Sequence, residues 1–170
     1  MDHFPAAPAP SRPRAALLLG TPVITALIGL SGPPTSADAA QAATKPSATT
    51  AFRLQVVKST VTERTSRHRS TLARQKCLDT LAQAQASRMA KKQTLYHQPL
   101  GPVLDRCGLR EVGENVAYGF PSAKATVAGW MRSPGHRANI LHSSYRRIGV
   151  GAVKDSHGRW WVCELFGRTA

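Results

Sequence analysis

Near the C-terminus, two extended runs, RRIGVGAV (146–153) and RWWVCELF (159–166), flank the segment KDSHG. A turn from Asp155 to Gly158 joins them, and the pattern reads as a β-hairpin. Both strands are apolar on both faces: Ile148, Val150 and Ala152 lie on the first, and Trp160, Trp161, Val162, Cys163, Leu165 and Phe166 on the second. A sheet of that kind must be covered on two sides. The segments before it are helical in pattern, so the expected fold is α+β, a three-layer α/β/α sandwich of about 120 residues with a C-terminal β-hairpin.

The helical pattern begins with Leu54, Val57 and Val61 at helix spacing, and Glu63, Arg64, Arg67 and Arg69 line the opposite face. A second amphipathic helix follows in CLDTLAQAQASRMAKK, with Leu78, Leu81, Ala82 and Met89 as its apolar positions and lysines at its C-terminal end. The stretch LYHQPLGPVLDRCGLREVGENVAYGF holds four glycines and two prolines and reads mostly as loop, with ENVAY as a short strand. Ser122 caps a helix in which Val127, Trp130 and Met131 share a face, and Ser133-Pro134 starts another.

The N-terminus combines Arg12 and Arg14, an apolar run from Ala15 to Leu30, and the Ala37-Asp38-Ala39 motif. A basic n-region, an h-region and an A-x-A site make residues 1–39 a signal peptide, with the mature chain starting at Ala40 and secreted. The run is short and broken by Pro22, so no integral membrane segment is expected in the mature chain. Residues 40–51 are small and polar and suit a flexible leader, which leaves 52–170 as the domain. Export permits a disulfide. Of three cysteines, Cys163 sits in an alternating apolar strand and reads as a buried thiol, so Cys77 and Cys107 are the expected pair. Their bridge contributes roughly 3 to 4 kcal/mol on a chain-entropy model.

The stretch MRSPGHRANIL places His136 in the first turn of a short helix, where the positive end of the helix dipole favours a neutral imidazole. Such a ring binds metal or accepts a proton; it also serves as a hydrogen-bonded loop histidine. Tyr96-His97, Gly113-Glu114-Asn115-Val116-Ala117, Ser133-Pro134-Gly135-His136-Arg137, Ile148-Gly149-Val150-Gly151 and Glu164-Leu165-Phe166-Gly167 occur in that order. From about Val56 to Gly167 the chain resembles the CAP superfamily of cysteine-rich secretory, antigen 5 and pathogenesis-related proteins, also called the SCP domain, in its compact bacterial form. The resemblance implies a cleft lined by His97, Glu114 and His136. In metal-binding members of the family the two histidines are ligands and the glutamate stands beside them. Two departures are visible here. The second glutamate that many eukaryotic members carry shortly after the tryptophan is replaced by Arg132-Ser133, and the family's first-helix asparagine near Val61 is absent.

Chemically, two imidazoles and a carboxylate can hold zinc or another divalent metal with an open position, and Glu114 would then be the catalytic base of a metal-dependent hydrolase. Spacings of 17 and 22 residues are no metal motif by themselves. His97 also fits a loop histidine bonded to backbone, and Glu114 a carboxylate paired with an arginine. Asn115, Gly113 and Gly119 read as structural, with the amide satisfying backbone in a tight turn. His68, His142 and His157 read as solvated; Tyr96, Tyr118 and Tyr145 can line the cleft, with aromatic packing as the favoured role.

The formal net charge is +14, and it survives signal-peptide removal because residues 1–39 hold two arginines and two aspartates. Arg64, Arg67, Arg69, Arg74 and Lys76 crowd the first helix and its exit, a pattern that usually means a solvated face. Outside a cell such a chain is attracted to anionic cell-envelope polymers. It has no recognition helix or aromatic platform, so a nucleic-acid function is not expected. The sequence points to a secreted binding module for a lipid, sterol or other small ligand rather than to an enzyme. The alternatives are the hydrolase and a cationic protein docking on wall polymer.

Overall fold

A computed structural model describes residues 46–169. The expected signal peptide, residues 1–39, and the first residues of the expected leader lie outside them. The elements in order are α1 (Ala48–Thr65), β1 (Ala73–Arg74), α2 (Lys76–Lys92), α3 (Gly101–Arg106), β2 (Leu109–Tyr118), α4 (Ala123–Arg132), α5 (Pro134–Leu141), β3 (Arg147–Lys154) and β4 (Trp160–Thr169). The strands form one sheet in the order β1-β3-β4-β2. The expected hairpin is β3-β4, paired from Arg147↔Gly167 to Lys154↔Trp160. β2 joins β4 antiparallel, and the two-residue β1 joins β3 parallel.

Side chains of the hairpin alternate between two cores, as two-sided burial requires. Ile148, Val150, Ala152, Val162 and Phe166 pack with Phe52, Val56, Val127 and Trp130 under α1, α4 and α5. On the opposite face Trp161, Cys163 and Leu165 pack with Leu78, Ala82, Met89 and Val103 under α2 and α3. This is the α/β/α sandwich. α2 lies directly on β3 because Gly149 and Gly151 leave room there: a Cβ on either would run into the backbone at Leu78–Asp79 or Ala82–Gln83. The Cys77–Cys107 bridge, with Cα atoms 5.7 Å apart, ties the start of α2 to the end of α3. Cys163 is a buried free thiol.

Five local expectations need correction. α1 begins at Ala48, inside the segment read as leader, because the Ser47 hydroxyl accepts from Thr50 N and caps the helix. Its buried face is Phe52, Val56, Thr60 and Arg64, whereas Leu54 is 41% exposed. The helical period was legible; its phase was not, because two of the inward residues are polar and find partners far along the chain. Thr60 donates to Glu164 Oε1 at 2.6 Å. Arg64, read as part of a solvated face, is fully buried and donates to the carbonyls of Ser70, Ile140, His142 and Tyr145 at 2.7–3.2 Å. The glycine- and proline-rich stretch read as loop holds α3 and the ten-residue β2. Pro102 sits at the start of α3, where its missing N–H costs no helix bond. Asn115 lies in the middle of β2 rather than in a tight turn.

Candidate functional site

α2 ends at Gln93, whose φ of 50° lies in the left-handed region. The chain then runs past β2 as Thr94–Leu100, and α5 begins on the other side of that strand's free edge. Between them lies a cavity of about 1070 Å3. Leu95, Tyr96, Leu100, Val112, Val116 and Tyr118 supply its apolar lining, and His97, Glu114, His136 and Asn139 its polar lining. The three expected site residues thus line a single cavity. Tyr96 and Tyr118 line it as well, while Tyr145 is a core residue.

Glu114 is the fixed point, with 1% side-chain exposure against 59% for His97. Its Oε1 accepts from His97 Nδ1 at 2.8 Å and from Gln98 N at 3.1 Å. Its Oε2 accepts from Gln98 Nε2 at 2.6 Å and from Cys163 Sγ at 3.2 Å. Two oxygens with four donors leave the carboxylate saturated. Its partner is therefore a histidine rather than an arginine. The bond to Glu114 raises the His97 pKa above its usual value, with burial opposing the shift. Burial, followed by the nearby Glu114, pushes the Cys163 thiol well up, so it stays protonated and donates. Gln98 Oε1 accepts from Arg88 Nη2 at 3.0 Å, and Arg88 also holds Gln85 Oε1. The chain Arg88–Gln98–Glu114–His97 orients one imidazole through its Nδ1.

His136 is held differently. Ser133 is the N-cap residue of α5, but its hydroxyl makes no cap bond; it lies 2.8 Å from His136 Nδ1. α5 is bolted to β2 by amides: Asn139 Nδ2 donates to Glu114 O and Asn115 Oδ1, both at 3.0 Å, and Asn115 Nδ2 donates to His136 O at 3.2 Å. A Cβ at position 113 would lie 2.6 Å from the Tyr145 hydroxyl and 3.0 Å from Asn139 Oδ1, so Gly113 is what lets this helix approach. Sequence reading missed Gln98 and Asn139. Asn139 carried a signal, since it follows His136 by three residues and shares its helix face; Gln98, between a histidine and a proline, carried none.

Among the described residues no group of three or more His, Cys, Asp and Glu side chains could hold a metal ion. The donor set at this cavity amounts to two imidazoles, because Glu114 is saturated. No helix among the described residues is long and apolar enough to cross a membrane. His142, read as solvated, is exposed and also stacks on Tyr145 with ring centroids 4.3 Å apart.

Residues 47–165 match the family model described as the cysteine-rich secretory protein family, CAP. The chain is 32% identical over 130 residues to the Bacillus subtilis protein YkwD, a match covering 72% of this chain and 50% of that one. It is 45% identical over 42 residues to the B. subtilis membrane protein YlbC, covering 25% of this chain and 12% of that one. The chain therefore spans about half or less of the curated relatives it matches. An extracellular protein containing an SCP domain from Bacillus anthracis superposes with a TM-score of 0.65 at 25% identity, covering 82% of this chain and 45% of that one. An outer surface protein of Borrelia burgdorferi superposes with a TM-score of 0.67 at 18% identity, covering 72% and 96%.

Proposed function

This chain belongs to the cysteine-rich secretory protein (CAP) family, and from that premise we propose that it is an exported binding module whose cavity takes a small amphipathic ligand. Lipids and sterols are the ligand classes in view. The observation that carries the reading is the mixed lining of one cavity: apolar side chains for a hydrocarbon body, with His97 and His136 for a polar end. A cavity of about 1070 Å3 lies just above the usual range for such sites, about 300 to 1000 Å3. Export rests on the signal-peptide pattern of residues 1–39 and on the extracellular and outer-surface proteins it resembles.

Hydrolysis is the weaker reading for a specific reason. A general base needs a lone pair facing a water, and the acceptor sites of Glu114 are filled by His97, Gln98 and Cys163. Glu114 is placed to orient His97 instead. A divalent metal such as zinc is a second occupant of the same cavity, supported by that carboxylate–histidine pair, a usual way of fixing a metal-binding imidazole. Its ligands would be His97 and His136, and with no third protein ligand it would be held weakly.

Displacement of a fluorescent fatty acid from the purified protein tests the main reading. Leu95 is exposed and lines the cavity, so Leu95→Asp should keep the fold and weaken binding at least tenfold. Equal affinity in parent and variant, or no binding in the parent, overturns it.

A further inference from the structure

Part of the positive charge gathers at one end of the sheet. Strand register brings arginines of every strand to one end of the sheet. Arg147 is opposite Ala73 and Gly167, Arg74 follows in β1, Arg168 is opposite Glu111, and Arg110 precedes Glu111 in β2. Arg146 N bonds Gly167 O and so belongs to the same end. Arg69 joins them through its N–H to Arg64 O, in the turn that closes α1. The fields of Arg146 and Arg69 reach the buried guanidinium of Arg64 and, after burial, help to lower its pKa.

Three arginines here are neutralised, Arg67 by Glu63, Arg74 by Asp79 and Arg168 by Glu111. Arg69, Arg110, Arg146 and Arg147 form no ion pair among the described residues. Arg69, Arg110 and Arg146 are exposed and Arg147 is half-buried. Like charges held together by a rigid sheet and left unpaired repel one another, and a ligand that supplies matching anions relieves that repulsion. None of these arginines lines the cavity.

We infer that this end of the sheet docks a linear phosphodiester polymer without bases, of the kind a cell envelope carries. Phosphate is favoured by the donors: the groups without an ion pair are all guanidiniums, which bind phosphate oxygens through two parallel N–H bonds, although Arg146 Nη1 also donates to the carbonyls of Ser143 and Tyr145. A membrane surface is disfavoured because interfacial docking adds apolar side chains to cations, and the large exposed apolar residues among those described, Leu54 and Leu95, are not in this group. A nucleic acid is disfavoured because single strands are held by stacking on exposed aromatic rings. The aromatic side chain here, Tyr145, is buried between His142 and Phe166. Docking at this end is independent of the ligand in the cavity.

The test titrates the full mature protein with synthetic poly(glycerol phosphate) at several salt concentrations. The parent should bind, with log K falling linearly as log salt rises. R69Q/R110Q/R147Q should weaken binding at least tenfold and flatten that slope by about 0.7 to 0.9 for each phosphate no longer neutralised. K58Q/K124Q/R132Q removes the same charge from exposed positions elsewhere and should change binding less than twofold. A second measurement needs no variant: bound polymer should protect Arg69, Arg110 and Arg146 from phenylglyoxal while leaving Arg132 and Arg137 reactive. Equal weakening by the two triple variants, uniform protection, or no binding by the parent overturns the inference. So does tighter binding to phosphatidylglycerol vesicles or to single-stranded DNA than to the polymer.

Discussion

His97 Nδ1 lies 2.8 Å from Glu114 Oε1, and the remaining acceptor sites of that carboxylate are taken by Gln98 and Cys163. This pairing joins the loop after α2 to the free edge of the sheet. It also fixes how the cavity's exposed histidine titrates.

Replacing Glu114 by Gln should lower the His97 pKa, because the bond to the carboxylate raises it and burial alone lowers it. The sign for stability follows. A raised histidine pKa contributes stability below the unfolded value of about 6.5, and that contribution is lost as pH rises through the folded value. The melting-temperature difference between parent and E114Q should therefore be larger at pH 5.5 than at pH 8. An NMR titration of the His97 ring protons measures the shift directly, and an unchanged pKa in the variant would show that Glu114 does not set it.

Glu164 should be a cost to the fold at neutral and alkaline pH. It is fully buried, and burial raises its pKa to about 8, with Thr60, Asn115 and Arg64 opposing the shift. Between about 4.5, the unfolded value, and 8 the folded chain keeps a proton that the unfolded chain releases, so stability falls as pH rises across that window. E164Q keeps an acceptor for the Thr60 hydroxyl and has no charge to bury. It should be more stable than the parent at pH 8, by on the order of a few kcal/mol, and close to the parent at pH 4.5. Urea unfolding at the two pH values gives the difference; a gain of equal size at both would point to packing instead.

Arg64 should be among the most sensitive positions in the chain. R64M leaves the carbonyls of Ser70, Ile140, His142 and Tyr145 without their shared donor, at a cost of roughly 3 kcal/mol or more. R64K keeps the charge but has only three donors on a single nitrogen, and should recover part of the loss. Denaturant midpoints order the three proteins, and a lysine variant as stable as the parent would show that charge rather than the guanidinium fork holds the α5–β3 connection.

Zinc, if the cavity takes it, should be dispensable for folding. The fold rests on its disulfide and its two cores, so a chelator should leave the melting temperature nearly unchanged. Calorimetric titration with zinc should show binding in the parent that weakens at acid pH, where the imidazoles protonate, and none in H97A/H136A. A double variant that binds as well as the parent would move the metal elsewhere.

The sequence by itself determined what depends on local period and composition. The two-faced apolar strands around Ile148 and Val162 required cover on both sides, and helix spacing placed α2, α4 and α5. The expectation of export and the apolar setting of Cys163 together selected Cys77 and Cys107 as the bridge. The order of the short motifs brought out His97, Glu114 and His136 as one cleft. Tertiary structure alone decided the polar interior. Thr60 and Arg64 turn inward because Glu164 and four carbonyls wait there; Gln98 saturates Glu114 from the loop side; Asn115 and Asn139 hold α5 to β2; and strand register, with the turn that closes α1, collects arginines scattered from Arg69 to Arg168 at one end of the sheet. The reason is physical. Apolar burial depends on the residue itself and leaves a periodic trace, whereas a buried polar group is stable only beside a particular partner, and that partner's identity is set by chain separations of up to about a hundred residues that no local pattern records.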